Sequence, residues 1–430
     1  MPRLAATFVA AAALVRASAP RAQEAAPAVE VADEYLQEYG QLYDHVSMLW
    51  DEQRMGAYHR AIRSNEASFR GKAVLDVGTG TGVLALWAAQ AGARKVYAVE
   101  AGSLDVVGQL AEAHGFGDVI VSVRGRIEDV TLPEQVDVIL SEWMGYFLLR
   151  ESMVESVLFA RDRWLKPGGL MFPSEATVYV APMRAEHFMA RRRGELEQDV
   201  QYWSQLEAEL AQYDLDFSPL RDRYEREHAR YHFAAGWQGK VPAASLTGEP
   251  VEVLHVDMHT VTPAQLYSTH AELTIREAAD AEIHALCGWF DVRFCTDAAA
   301  DGASDAGACV ELTTSPRSAK THWAHTVFPL AAPLLSPDIT LSISHAASSR
   351  HDINVSLAYV GGIDTARVEV GDDGAATRAG GGTKREVRRD FLVSAAFHGF
   401  NDQPYDEAND GESVLLIYAD GERVGGKDDD

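Results

Sequence analysis

The stretch Ala73-Val74-Leu75-Asp76-Val77, followed at once by Gly78-Thr79-Gly80-Thr81-Gly82 and an apolar run from Val83 to Ala91, leaves few folds open. The first segment reads as a strand buried on both faces. Glycines let a backbone turn sharply and let a ligand approach closely, and the apolar run reads as the next helix. A second strand, Lys95-Val96-Tyr97-Ala98-Val99, ends in Glu100, twenty-two residues after Gly78, where an acid can accept hydrogen bonds from ribose hydroxyls. This pattern predicts an open α/β sheet with a nucleoside cofactor at its carboxyl edge. A dinucleotide dehydrogenase is the competing reading, but its fingerprint sets a third small residue where Val83 stands, and Gly82 comes one residue early. Asp76, just before the loop, is placed to hold an amino group. Together these favour S-adenosylmethionine over a nicotinamide dinucleotide.

A second feature follows the strand-like run Val136-Asp137-Val138-Ile139-Leu140. The loop Ser141-Glu142-Trp143-Met144-Gly145-Tyr146-Phe147-Leu148-Leu149-Arg150-Glu151 is bracketed by two carboxylates, with a helix expected after Glu151. A guanidinium carries its donors in a fixed fork, so two such acids could grip an arginine side chain and fix which nitrogen faces a reaction partner. Alone, the motif also fits a turn-capping Glu142 and a helix-starting Glu151 without chemistry.

Across 430 residues, 47% hydrophobic and 24% charged composition describes a globular chain long enough for two domains. The formal charge of -26, spread along the chain, argues against a phosphate-binding nucleic-acid surface and for cationic partners, although simple solubility explains acids equally well. Cys287, Cys295 and Cys309 form no CxxC pair, so neither a disulfide framework nor a metal site is expected, and a reducing compartment follows. No apolar run approaches the roughly 20 residues of a membrane span, so no membrane association is expected. Residues 1–32, Ala-rich with Arg3, Arg16 and Arg21, read either as a targeting segment or as a disordered head.

From Asp33 to Asn65 the pattern is helical, and the polar series His45, Asp51 and Arg54 needs partners on packed helices. Another apolar helical face, Met153 to Trp164, is closed by Lys166-Pro167-Gly168-Gly169, which sets the end of a first domain at residues 33–169. Alternating segments such as Thr177–Val180, Ala271–Ile275, Phe290–Phe294 and Ile339–Ile343 then predict a β-barrel or sandwich over 170–364. Residues 185–235 interrupt it as a charged helical arm whose Val200, Trp203, Leu206 and Leu210 share one face. That stripe packs either on the chain's own barrel or on a second subunit. Residues 365–430 form a C-terminal extension, with a Gly- and Asp-rich loop over 371–382 and a strand-like Ser413–Tyr418.

Taken together, the segment Asp76 to Glu100, the double-glutamate loop and the later Thr321-His322-Trp323 resemble the protein arginine methyltransferase family, over roughly Asp33 to Tyr359. The Phe147-Leu148-Leu149-Arg150 spelling and the long insertion after Met183 are most similar to the plant-type branch with an extended dimerisation arm. The resemblance implies a Rossmann-like S-adenosylmethionine-dependent methyltransferase domain, then a β-barrel with a helical dimerisation arm, assembled as a homodimer. It puts Arg54 on the methionine carboxylate, Asp76, Gly78 and Gly80 beside the methionine end, Glu100 on the ribose, Glu128 on the adenine amino group and His45 along the cofactor. Tyr35 and Tyr39 match the family's first helix, which folds over bound cofactor, and Leu36 departs from its usual phenylalanine.

The implied chemistry is in-line methyl transfer to a guanidinium held by Glu142 and Glu151, with His322 and its partner Asp51 relaying the proton, and with Trp323 bordering the substrate. Met48 and Met153 match positions where type I members carry methionine, which implies monomethylarginine and then asymmetric dimethylarginine. Core packing is the other reading of both. Expected substrates are arginine-containing basic proteins, such as histone tails or Arg/Gly-rich RNA-binding proteins, in cytoplasm and nucleus, with no direct nucleic-acid contact. A catalytically silent scaffold of the same fold and a methyltransferase of another nucleophile are the alternatives.

Overall fold

The computed structural model describes residues 39–102, 106–274, 282–296, 309–334, 338–346, 351–361, 385–394 and 398–400. The expectations for residues 1–32, Tyr35, Leu36, 371–382 and Ser413–Tyr418 lie outside the described residues.

The glycine-loop strand is the centre of a five-stranded parallel sheet. Its members are β1 (Ala73–Val77), β2 (Lys95–Glu100), β3 (Ile120–Arg124), β4 (Val136–Ser141) and β5 (Leu165–Phe172), in the spatial order β3-β2-β1-β4-β5. Every residue of β1 is buried, as its unbroken apolar pattern requires of a strand covered on both faces. The order reverses between β1 and β4. Ligands of open α/β sheets bind in the crevice at such a switch point, and here the two loops leaving β1 and β4 are the glycine loop and the double-glutamate loop. Helices α1 (Glu52–Ser64), α2 (Val83–Gln90) and α3 (Met153–Trp164) cover the sheet.

Lys166-Pro167-Gly168-Gly169 lies within β5, where the register against β4 shifts between Val136 and Val138. An edge strand tolerates proline and an irregular ladder.

The remaining strands make two further sheets. The larger contains β6 (Glu175–Met183), β7 (Trp237–Gly239), β8 (Val251–Asp257), β10 (Ile283–Phe294), β11 (Val310–Thr313), β12 (His325–Leu334) and β16 (His398–Phe400). The smaller is β15-β14-β13-β9, made of Arg385–Val393, Ile353–Gly361, Asp338–His345 and Thr269–Thr274. Backbone bonds Gly236 N to Leu392 O and Leu392 N to Ala234 O stitch the sheets together, and the Phe328 and Phe391 rings meet between them at 5.4 Å. The barrel therefore draws on residues beyond 364, because β15 pairs with β14 along its whole length.

A disulfide, against the sequence expectation, joins Cys295 and Cys309 (S–S 1.96 Å). The cause is hairpin register: Phe294 pairs with Val310 at the end of β10 and β11, so the next two residues face each other although they are 14 apart in sequence. Among the described residues no helix is long and apolar enough to cross a membrane.

The arm is an antiparallel hairpin of α4 (Glu186–Ala211) and α5 (Arg221–Phe233). Within the chain its apolar stripe packs on the hairpin itself. Trp203 stacks on Tyr224 of the return helix (4.4 Å between centroids), and Val200, Leu206 and Leu210 remain half-buried. Only the root of the arm enters a core, where Phe188 and Met189 are buried with Trp237 and Val327. Phe188→Ala should therefore cost about 3 kcal/mol or more, seen as a lower midpoint in scanning calorimetry. An unchanged midpoint would contradict this anchoring.

Candidate active site

The glycine loop is held from below. Gly78 and Thr79 N–H both donate to the Val99 carbonyl, and Gly78, Gly80 and Gly82 take φ of 66°, 53° and 86°, a region glycine enters without steric cost. Two side chains close on it from above. A Cβ at Gly78 would lie 2.2 Å from the Met153 Cε, and one at Gly80 would lie 3.1 Å from the His45 ring. Glu100 accepts from Gly80 N–H (2.8 Å) and Gly102 N–H (2.7 Å), so its carboxylate is fixed at the end of β2 facing the same cavity. Glu128 accepts from the Ser156 hydroxyl at 2.6 Å.

Asp76 is placed differently from the expectation. It is fully buried beneath the loop, with Oδ2 taking the Thr79 hydroxyl (2.6 Å) and the Ala85 N–H (3.1 Å), and it does not line the cavity. It ties the loop to the start of α2. Burial, opposed by those two hydrogen bonds and reinforced by the nearby Glu100 charge, raises its pKa from 3.8 to about 7.

The double-glutamate loop carries its acids on a strained backbone. Phe147, Leu148, Glu151 and Ser152 all have positive φ, from 51° to 85°, and none is glycine. Such residues cost about 1–3 kcal/mol each and persist only where their surroundings impose them. Those surroundings are visible. Glu151 N–H donates to the His351 carbonyl (2.6 Å), the His351 Nδ1–H donates to the Glu151 carbonyl (2.8 Å), and the Trp323 indole N–H donates to the Met144 carbonyl (2.7 Å).

Both carboxylates already hold a guanidinium. Glu142 Oε2 accepts from Arg54 Nε at 2.9 Å and its Oε1 from Met144 N–H at 3.2 Å. Glu151 Oε1 accepts from Arg150 Nη1 at 2.9 Å, and its Oε2 accepts from the Tyr39 hydroxyl at 2.9 Å. Arg54 also donates to the Met48 carbonyl (3.1 Å), so it spans from the N-terminal segment to the loop.

Asp51 and His322, 271 residues apart in sequence, form a pair. Asp51 Oδ2 accepts from both the His322 N–H and its ring Nδ1–H at 2.8 Å, while Oδ1 caps α1 by accepting from Gln53 and Arg54 N–H at 3.0 Å. Burial works to raise the Asp51 pKa, but hydrogen bonds from the His322 ring and the backbone outweigh it and hold the carboxyl below its usual 3.8. With Nδ1 engaged by Asp51, Nε2 is the ring nitrogen of His322 left for other work.

One cavity of about 490 Å³ takes in Tyr39, His45, Met48, Arg54, Gly78, Gly80, Glu100, Glu128, Glu142, Glu151, Met153, His322 and Trp323. Asp51 stands behind His322 and Asp76 beneath the loop. Met48 and Met153 are half-buried and line this space, and Met153 also packs against the main core. Trp323 is buried, and its N–H serves the double-glutamate loop. Sequence reasoning missed His351, Arg150 and its partner Asp352 (3.7 Å). Arg150 stands beside Glu151 and carried a signal; His351 arrives from the far barrel with none.

The donor set fits an S-adenosyl cofactor: acids at the end of β2 and at Glu128, a close glycine backbone, and a guanidinium at the opposite end.

Comparison with known proteins points the same way. Residues 74–169 match a methyltransferase domain, and residues 174–361 match the arginine methyltransferase oligomerization subdomain. Protein arginine N-methyltransferase PRMT10 of Oryza sativa subsp. japonica is 42% identical over 304 residues, covering 70% of this chain and 79% of that one. Protein arginine N-methyltransferase 6 of Danio rerio is 38% identical over 294 residues (68% and 78%). A crystal structure of Arabidopsis thaliana protein arginine methyltransferase 10, described as a uniquely open conformation, superposes with a TM-score of 0.73 at 33% identity (83% and 99%). A Trypanosoma brucei PRMT1 enzyme-prozyme heterotetrameric complex with AdoHcy gives 0.67 at 30% identity (83% and 100%).

The position of Asp76 yields a pH test. An unfolded aspartate titrates near 4, so with the folded pKa raised to about 7 the stability this group contributes is full at low pH and is lost as pH climbs toward 7. Asp76→Asn keeps an acceptor for Thr79 and Ala85 and removes the charge. Its melting temperature relative to the native chain should therefore rise between about pH 5 and pH 8. Parallel profiles would contradict a buried, raised carboxyl.

Proposed function

The chain belongs to the protein arginine N-methyltransferase family, and from that premise we propose a type I enzyme that gives monomethylarginine and then asymmetric dimethylarginine on basic proteins. The observation that carries methyl transfer to arginine is the pairing of Glu142 and Glu151 around one cavity, each already engaged with an arginine of the chain.

When bound, S-adenosylmethionine supplies a sulfonium methyl to the attacking guanidinium nitrogen. Glu142 and Glu151 hold the substrate guanidinium and draw its delocalised charge toward the nitrogens they bind, leaving the remaining nitrogen richer in electrons. Tyr39 and Arg150 orient Glu151; Arg54 and Met144 N–H orient Glu142. Clamping supplies the proximity contribution. An arginine whose free pKa exceeds about 12 must shed a proton, and His322, steadied through Nδ1 by Asp51, accepts it at Nε2. Arg54 would hold the methionine carboxylate, Glu100 the ribose hydroxyls and Glu128 the adenine amino group.

The product assignment rests on Met48 and Met153, which border the clamp and shape it so that an already methylated nitrogen returns to the cofactor. Substrates of the histone-tail or Arg/Gly-rich class suit a chain of charge -26. The half-buried stripe of the arm and the match of 174–361 to an oligomerization subdomain support a homodimer built through the arm. Cytoplasm and nucleus are the compartments where such substrates are met.

Glu151→Gln is the cleaner test of the clamp, because Glu142→Gln also releases Arg54 from its partner. Glu151→Gln should bind S-adenosylhomocysteine as the native chain does, yet lose on the order of 100-fold or more in turnover of an Arg/Gly-rich peptide. Retained turnover would sink the clamp.

Fragmentation of the methylated peptide reads the product. Neutral loss of dimethylamine supports the asymmetric assignment, and loss of monomethylamine overturns it. Met48→Phe should alter the ratio of mono- to dimethylated peptide; an unaltered ratio would reduce this methionine to a packing role.

A further inference from the structure

At the root of the arm, far along the chain from the catalytic residues, four chemistry-bearing side chains face each other across the helix hairpin. His228 and His232 lie one turn apart on α5, within His228-Ala229-Arg230-Tyr231-His232, and Glu195 and Asp199 lie one turn apart on the facing α4. Asp199 Oδ2 stands 2.8 Å from His228 Nδ1 and 2.9 Å from His232 Nε2. Glu195 Oε2, held by Arg192 Nη1 at 2.7 Å, faces the other nitrogen of His232, Nδ1, across 3.6 Å.

One ring nitrogen of His232 is left over in this arrangement. His232 is buried, at 4% exposure, between two carboxylates, and its Nδ1 has no hydrogen-bond partner among the described residues. A neutral imidazole has one N–H. If Nε2 carries it, Nδ1 turns a lone pair toward Glu195. If Nδ1 carries it, Nε2 turns a lone pair toward Asp199. A cation between Nε2 and Asp199 resolves the conflict, with Nδ1–H then directed at Glu195. Ligating histidines characteristically direct their second nitrogen at a carboxylate in this way.

We propose that Asp199, His228 and His232 bind a divalent first-row metal ion, Zn²⁺ by ligand type, with Glu195 orienting His232 and water completing the shell. The three ligand atoms lie within 4.8 Å of one another. Tetrahedral zinc with bonds of about 2.0–2.1 Å sets neighbouring ligands about 3.3 Å apart. The present separations of 2.8 and 2.9 Å need only a few tenths of an ångström of opening. An entry path exists, because the cluster lines an open cavity of about 630 Å³. The ring of His228 is steadied by Tyr224 at 4.2 Å, which in turn stacks on Trp203. Bound metal would staple α4 to α5 where the arm leaves the barrel, independently of the methyl-transfer site.

The test uses tag-free full-length protein stripped with EDTA and titrated with ZnCl₂ by calorimetry, with Co²⁺ absorbance as a report of ligand geometry. The native chain should bind one equivalent per chain and show the intense visible bands of a tetrahedral site. His228→Gln, at a partly exposed position, should lose that equivalent while its helical circular dichroism and S-adenosylhomocysteine binding stay native. Glu195→Gln should keep the stoichiometry with affinity about 10–100-fold weaker. Absence of saturable binding in the native chain would overturn the proposal. Equal binding by the native chain and His228→Gln would put the metal elsewhere and overturn it as well.

Discussion

The constraint on which the rest of the molecule depends is the backbone between Tyr146 and Met153. Two carboxylates on one loop must face a common space, and the chain achieves this by holding Phe147, Leu148, Glu151 and Ser152 in the left-handed region. At about 1–3 kcal/mol each, four such residues would relax if the loop stood alone. The barrel prevents it. The Phe147 ring packs so closely on β10 that a Cβ at Gly288 would lie 2.3 Å from it, and the same ring meets Phe328 at 5.1 Å. A glycine in the middle of a buried strand, otherwise a weakness, is the recess that receives this side chain. Trp323 and His351 complete the support through backbone hydrogen bonds. The barrel is thus part of the site's architecture and more than an attached oligomerisation module.

The N-terminal segment links the two ends of the cavity. Tyr39 reaches Glu151, His45 covers Gly80 while its Nε2–H donates to the Tyr39 carbonyl at 3.1 Å, and Arg54 holds Glu142. Asp51 anchors that segment. Its two oxygens together accept four hydrogen bonds, two from the start of α1 and two from His322, so the helix that carries Arg54 and the barrel loop that carries His322 are positioned by one carboxylate. A change in how the segment sits therefore reaches the glycine loop, both glutamates and the histidine together.

Much of this was legible in the sequence, for identifiable reasons. β1, the glycine loop and α2 follow from local pattern, because a buried parallel strand has no polar face to confuse the periodicity. Glu142 and Glu151 were legible because two acids flank one loop. The His322 to Asp51 pair emerged only from resemblance, since nothing local connects residues 271 apart. What misled was register and context. Pro167 and Gly168 looked like a terminus and proved to be an edge strand; Cys295 and Cys309 looked unpaired until a hairpin set them opposite; Asp76 looked like a ligand-facing acid and is the buried tie beneath the loop. His351 left no trace in its own neighbourhood, because its role is a backbone contact made across the fold.

The cavity's charge suggests why the machinery carries so many acids. Its lining holds six carboxylates, Asp44, Glu100, Glu128, Asp129, Glu142 and Glu151, against three guanidinium groups, Arg54, Arg126 and Arg150. In a partly desolvated site such an excess attracts cations more strongly than water would allow. Both reactants of arginine methylation carry positive charge at the reacting centres, the sulfonium of S-adenosylmethionine and the guanidinium of the substrate. Bringing two cations together is unfavourable in itself, and the surrounding acids offset that repulsion. Transfer removes the sulfonium charge, so the spent cofactor loses part of this attraction while the methylated arginine keeps its own. The same field that assembles the reactants therefore holds the spent cofactor less strongly than the charged one.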